Sequence, residues 1–191
     1  MESFNDKKLG ALFILLGSLE FYLFTNIAEF VQPVYSVSHN SISHLGIATD
    51  PFIFNGAIIV LGILEVIGAY FFRKYSLPFS IFMLLGGIGS AGVGVFNEHY
   101  GLIHLFFALL AFLFGSGASY IILMKERKVV TFIWAILGTI SILALIFFSI
   151  GIVGKDSFFY FGLGEGGMER LIMIPEILWA IGFTSSILFE K

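Results

Sequence analysis

The sequence predicts an all-α, polytopic membrane protein: six transmembrane helices in one bundle, with both termini in the cytoplasm. Three observations carry that expectation. Of 191 residues, 58% are hydrophobic and 12% charged, whereas a soluble domain carries about 25% charged residues. Six apolar stretches each approach the length of about 20 residues that crosses a hydrocarbon core. Lys and Arg gather in the short loops on one side of those stretches, which orients a membrane protein.

The first span is expected at 9–28, behind Lys7 and Lys8. That start resembles the basic n-region of a signal peptide. The apolar run is too long for an h-region and no small-x-small cleavage site follows, so it reads as a retained helix. The second span falls at 54–72 and the third at 78–96. The third contains Leu-Leu-Gly-Gly-Ile-Gly-Ser-Ala-Gly-Val-Gly, which puts Gly86, Ser90 and Gly94 four apart on one face. Small residues at that spacing let helix backbones approach closely. The fourth span, 102–124, repeats the theme from Gly115 to Ser119, and neither stretch follows a strand as a phosphate loop would. The fifth is expected at 130–153. The sixth is expected at 171–189, with Pro175 in its first turns, where a lost hydrogen bond does least harm.

Eight basic residues fall on one side: Lys7, Lys8, Arg73, Lys74, Lys125, Arg127, Lys128 and Lys191. Only Lys155 and Arg170 fall on the other. The basic side is therefore expected to be cytoplasmic, leaving loops 29–53, 97–101 and 154–170 outside. Residues 1–191 read as a single domain with a structured external loop at 29–53, and no inverted repeat is visible. Ten Lys and Arg against thirteen Asp and Glu leave no basic surplus for nucleic acid. The absence of Cys removes thiolate nucleophiles and Cys-ligated metals.

The residual polar groups favour the outer side. His39, His44, His99 and His104 all lie there. Glu20, Glu65 and Glu176 sit within spans, and a charged carboxylate at depth costs at least about 2.5–3.5 kcal/mol on insertion scales. At about 1.5 Å per residue, Glu20 and Glu176 lie about 12 and 8 Å below the outer boundary and Glu65 lies near the midplane. Glu20 and Glu176 are thus expected to line an outward-opening cavity, with His104 or Arg170 as partners. The loop at 29–53 mixes apolar residues with hydroxyls and lacks the charge of a solvated linker. It is expected to pack on the bundle mouth as a short helix that Asn40 caps. Such irregular backbone survives at membrane depth only against protein or a wet cavity. Glu169 and Glu176 are seven apart on one helix face.

These stretches resemble domain-of-unknown-function family 998, prokaryotic six-helix integral membrane proteins. The matching residues are Tyr35-Ser36, Asn40, Ile42-Ser43 and Leu45-Gly46, then Gly92, Gly94, Phe96, Glu98 and His104, then Gly167, Glu169-Arg170 and Glu176 through Trp179. Where relatives carry Phe-Pro-x-Asp, this chain has Phe96-Asn97-Glu98-His99. The resemblance implies the six-helix plan and a prokaryotic plasma membrane, and no chemistry. Ile42-Ser43-His44-Leu45-Gly46 is also distantly similar to the membrane family that includes lipid-remodelling factors of GPI anchors and DRAM-type proteins; no function is carried over from it.

Three function classes follow. A lipid-directed hydrolase or transferase would use Glu98, His104, Glu169 and Arg170 as catalytic groups, and Tyr35, Ser36, Asn40, Ser43, His44, Glu20 and Glu176 to bind. It would act on a membrane lipid or its head group. A divalent metal such as Zn would take ligands from His39, His44, His99 and His104, activating a water. Without metal, His104 would act as general base, oriented by Glu98. A non-enzymatic accessory subunit or homo-oligomer would use the same mouth to hold a lipid or a membrane-complex partner. A small proton-coupled transporter would use Glu20, Glu65 and Glu176.

Overall fold

The computed structural model describes residues 2–190, with side chains from residue 6 onward; Lys191 lies outside the described residues. Six helices account for most of it: α1 (Glu2–Val31), α2 (Pro51–Phe72), α3 (Leu77–Val95), α4 (Leu102–Glu126), α5 (Val129–Gly154) and α6 (Gly164–Leu188). All six contain stretches long and apolar enough to cross a membrane. Each packs on its chain neighbours, and α1 closes against α6. The two ends of the bundle differ. The α2–α3 and α4–α5 turns, with the chain termini, form a basic end. The other three connections form a histidine end, and each carries one 3-10 turn: Ser43–Gly46, Glu98–Tyr100 and Ser157–Tyr160.

The helices are apolar outside as well as inside, unlike a soluble bundle, and their buried faces add small and polar residues to an aromatic core. On α5, Ile133, Ile136, Ile140, Leu143, Ile146 and Ile150 point outward at spacings of three and four, which traces one helix face. The opposite face buries Thr131, Trp134, Gly138, Ser141 and Leu145. Lipid tails are as apolar as Ile, so contact between helices must come from close packing and interhelical hydrogen bonds rather than from hiding oil. Gly89 supplies one such approach: a Cβ there would meet the Ala111 backbone of α4, with the Phe107 carbonyl at 2.8 Å.

The expected single small-residue face of α3 serves two partners. Gly86 lies against Gly115 of α4, while Gly94 lies against the Asn55 carbonyl of α2. Residues four apart drift by about 40° on a helix of 3.6 residues per turn, so Gly86 and Gly94 point about 80° apart and reach different neighbours. Phe72, Phe79, Phe183, Trp134 and Trp179 fill the core nearer the basic end. The Phe79 ring stands edge-on to Phe72 at 4.9 Å and to Phe183 at 5.1 Å. Phe21, Leu45, Phe54, Met173 and Ile177 fill the core nearer the histidine end.

Ion pairs gird the basic end. Lys7 meets Glu190 at 2.9 Å, Lys74 meets Asp6 at 3.1 Å, and Lys128 meets Glu126 at 2.9 Å. The Tyr75 ring receives Lys7 and Lys125 at 4.7 and 4.5 Å. Pairs this exposed fix geometry more than they add stability.

Two sequence expectations need correction here. First, α6 begins at Gly164 rather than 171, so Pro175 stands mid-helix and not in the first turns. Hydropathy registers only the apolar part of a helix, and the polar turn before Leu171 is stabilised by a docked loop instead. Pro175 leaves the Leu171 carbonyl without its helical donor; the next carbonyl, of Ile172, receives the Ser141 hydroxyl at 2.8 Å. Second, Asn40 does not cap a helix. Ile42 holds the N-cap position of the 3-10 turn without a side-chain bond, and Asn40 Oδ1 accepts the Ser36 N–H at 2.8 Å instead. An Asn side chain closes a local turn as readily as it caps a helix.

Candidate functional site

The α1–α2 connection is fastened to the start of α6. Glu169, 6% exposed, accepts the Ile42 N–H, the Ser43 N–H at 3.4 Å and the Ser43 hydroxyl at 3.0 Å. Next to it, Arg170 donates to the Val37 carbonyl at 2.8 Å, the Gly166 carbonyl at 2.9 Å, the Tyr35 hydroxyl at 2.8 Å and the Glu29 carboxylate. The Tyr35 hydroxyl in turn donates to the Ser41 carbonyl at 2.9 Å. Burial pushes the Tyr35 phenol up to about 12, against the opposing pull of Arg170. Ser38 accepts the Gly166 N–H through its carbonyl at 3.0 Å. Of the residues expected to bind or catalyse, Tyr35, Ser36, Asn40, Ser43, Glu169 and Arg170 are thus joined in one network that shapes the mouth.

Under this loop lie two spaces that share a wall. A lateral cleft of about 280 Å³ opens between α4 and α5. Its sides are apolar, from Leu105, Leu109 and Phe112 on α4 and Leu145, Phe148, Ile152 and Val153 on α5. Its head is polar, formed by Ser41, Ser43, Glu98, His104, Glu165 and Glu169. A smaller inner cavity of about 50 Å³ runs inward from Ser43, His104 and Glu169 to Glu65, Glu176 and Trp179. Glu169, Met173 and Glu176, on one face of α6, all line it, as their spacing implied.

His104 is 9% exposed and lines both spaces. Its Nδ1–H donates to the Phe96 carbonyl at 2.8 Å. A carbonyl only accepts, so in the neutral ring that bond assigns the proton to Nδ1 and leaves Nε2 as an acceptor. Glu98 orients His44, at 3.2 Å, rather than His104. His39 and His99 are exposed. Among the described residues no group of three or more His, Asp or Glu could hold a metal ion. The expected Zn ligands His39, His44, His99 and His104 therefore offer no ready donor set. Of the four, His44 is held by Glu98 and His104 by the Phe96 carbonyl.

Glu20 lines neither space, and its buried Oε2 has no hydrogen-bond partner among the described residues. Its expected partners are committed elsewhere, Arg170 to Glu29 and His104 to Phe96. Sequence reasoning passed over Glu165, at the cleft head, because the sixth span was started seven residues late. It passed over Glu29 because the Arg170 pairing joins positions 141 apart in the chain. Ser116, in the small-residue stretch of the fourth span, bonds Ser141 at 2.6 Å in the interior.

A family model described as Protein of unknown function (DUF998) matches residues 15–186. The chain belongs to that family. No curated protein and no solved structure matches it.

Proposed function

We propose that this member of the DUF998 family is a lipid-binding protein of the plasma membrane that receives one membrane lipid through the α4–α5 cleft. The observation that carries the proposal is the build of that cleft: apolar walls from two membrane-spanning helices, and a polar head of three carboxylates, a histidine and two serines. Ligand sites in general pair apolar walls with a few placed polar groups. Acyl chains would lie along Leu109, Phe148 and Ile152, with the head group beneath Ser41 and Ser43. Glu98, Glu165 and Glu169 favour a head group that carries amine or hydroxyl donors over a purely anionic one. At the cleft head, His104 Nε2 is the group placed to accept a proton from a bound head group.

The orientation proposed places the basic end in the cytoplasm and the histidine end outside. Lys7, Lys8, Arg73, Lys74, Lys125, Arg127 and Lys128 support it through the positive-inside bias. The lipid would then enter from the outer leaflet.

Photo-crosslinking tests the binding proposal. Membranes containing a phospholipid with a photoreactive acyl chain are irradiated, and labelled peptides are mapped on the purified protein. Label concentrated on the cleft-facing residues of α4 and α5, and competed by an amine-headed phospholipid better than by an anionic one, is the expected result. Label spread evenly over all outward faces, with no competition, would overturn it.

A further inference from the structure

Within the bundle, α2 and α6 each bring a carboxyl to the inner cavity. Glu65 is 7% exposed and accepts the Ser90 hydroxyl at 3.1 Å. Glu176 accepts the Ser116 hydroxyl at 3.1 Å. Both line that one small cavity, and among the described residues neither takes part in an ion pair. Two ionised carboxylates facing one small cavity in a bilayer interior, with no cation paired to either, would carry both the desolvation cost and their mutual repulsion. A proton shared by the pair removes most of both.

A second observation comes from the same wall. Trp179, 1% exposed, lines the cavity, and its indole N–H has no hydrogen-bond partner among the described residues. A buried indole N–H normally finds an acceptor. The cavity's 50 Å³ has room for a few waters, and a water placed there finds the two to four polar partners it needs. Glu65, Glu176, Ser90 and the Trp179 N–H supply them.

We infer that Glu65 and Glu176 form a proton-binding site: a hydrated chamber inside the bundle in which the two carboxyls share one exchangeable proton and waters bridge them to the Trp179 indole. The proton leaves a carboxyl O–H for a chamber water, and the partner carboxylate is the base that takes it back. Exchange runs toward the histidine end, where the cavity continues to His104 and Glu169. Toward the basic end the packed rings of Phe72, Phe79 and Phe183 close the path. α1 presents Phe21 to the chamber and α3 presents Met83, Ser90 and Val93; α4 adds His104 and α6 adds Glu169. α5 reaches Glu176 only through Ser141 and Ser116. This site stands independently of the lipid proposal, since Glu65, Glu176 and Trp179 do not line the cleft.

The test uses full-length protein in lipid nanodiscs. Infrared difference spectra between acid and alkaline buffer are recorded for wild type, Glu65→Gln, Glu176→Gln and the double variant, in H₂O and D₂O. A protonated-carboxyl band that shifts promptly in D₂O and disappears in the double variant is expected. Because the chain has two Trp, Trp134→Phe leaves Trp179 as the sole emitter. Its fluorescence should titrate with the same midpoint as the band and lose that titration in Glu176→Gln. If a glutamine variant fails to fold, the wild-type band and the Trp179 titration still decide. A band that resists D₂O as long as core amides do, or a flat Trp179 signal, overturns the site. Ile152→Phe, which narrows the cleft alone, should leave both signals unchanged, so the two proposals can fail separately.

Discussion

Glu169 and Arg170 are consecutive on α6, and both hold the same loop: Glu169 accepts the backbone of Ile42 and Ser43, while Arg170 donates to Tyr35 and the Val37 carbonyl. One anionic and one cationic side chain together fix a stretch that lacks regular structure apart from one 3-10 turn. That stretch places Ser41 and Ser43 at the head of the cleft. Stabilising the loop and shaping the site are therefore the same act.

Removing Glu169 should loosen the loop selectively. Glu169→Ala strands the Ile42 and Ser43 donors under the mouth, and a buried donor left unpaired costs about 1–3 kcal/mol. Hydrogen exchange should accelerate across residues 36–47 while α2 and α3 keep their protection. Unchanged exchange in the loop would contradict the assignment.

The Arg170–Glu29 pair should show strong coupling. Their side chains are 12% and 19% exposed, and breaking one partner of a pair this buried leaves the other uncompensated. In a double-mutant cycle with Arg170→Met and Glu29→Gln, a coupling of about 1–3 kcal/mol is expected. Arg170→Lys should fail to restore it, because a lysine cannot serve Tyr35, Val37 and Glu29 from one planar fork. Additive losses would mean the contact is incidental.

Gly89→Val should break the α3–α4 contact, since its side chain would need to occupy the Ala111 backbone. A loss of at least about 1–3 kcal/mol is expected from overpacking alone, read as a lower melting temperature in nanodiscs. Gly56→Ala is the control, because a Cβ there meets nothing within 4 Å; it should be neutral or slightly stabilising through helix propensity.

Tyr35 should ionise late. Its phenol is pushed up to about 12 in the fold, above the usual value of about 10. The sign follows: the neutral phenol's contribution is fully present below the ordinary value and is lost as pH rises through the folded one. The tyrosinate absorbance of wild type minus Tyr35→Phe should therefore appear near the upper value. A difference spectrum rising near the ordinary value would show Tyr35 open to solvent.

The six helices were legible because lipid demands long apolar runs, and the family was legible from short motifs at Tyr35, Glu98 and Glu169. Helix ends were not. Gly164 through Arg170 is too polar to register as a span, yet it is helical because loop 36–43 covers it. Glu65 and Glu176 were each visible as intramembrane acids, but their meeting depends on how α2 and α6 face one another, which periodicity within a single helix does not record. The histidines drew attention as a metal set. Single-chain spacing could not reveal that His104 turns to a backbone carbonyl and His44 to Glu98.

Native mass spectrometry of the purified protein tests lipid occupancy of the α4–α5 cleft most directly. Wild type should retain one phospholipid per chain through mild detergent. Ala108→Trp, which fills the wall shared by the cleft and the inner cavity, should lose it while keeping the wild-type melting profile to within a few degrees. A wild-type protein that carries no retained lipid, or an Ala108→Trp protein that carries as much as wild type, would contradict it.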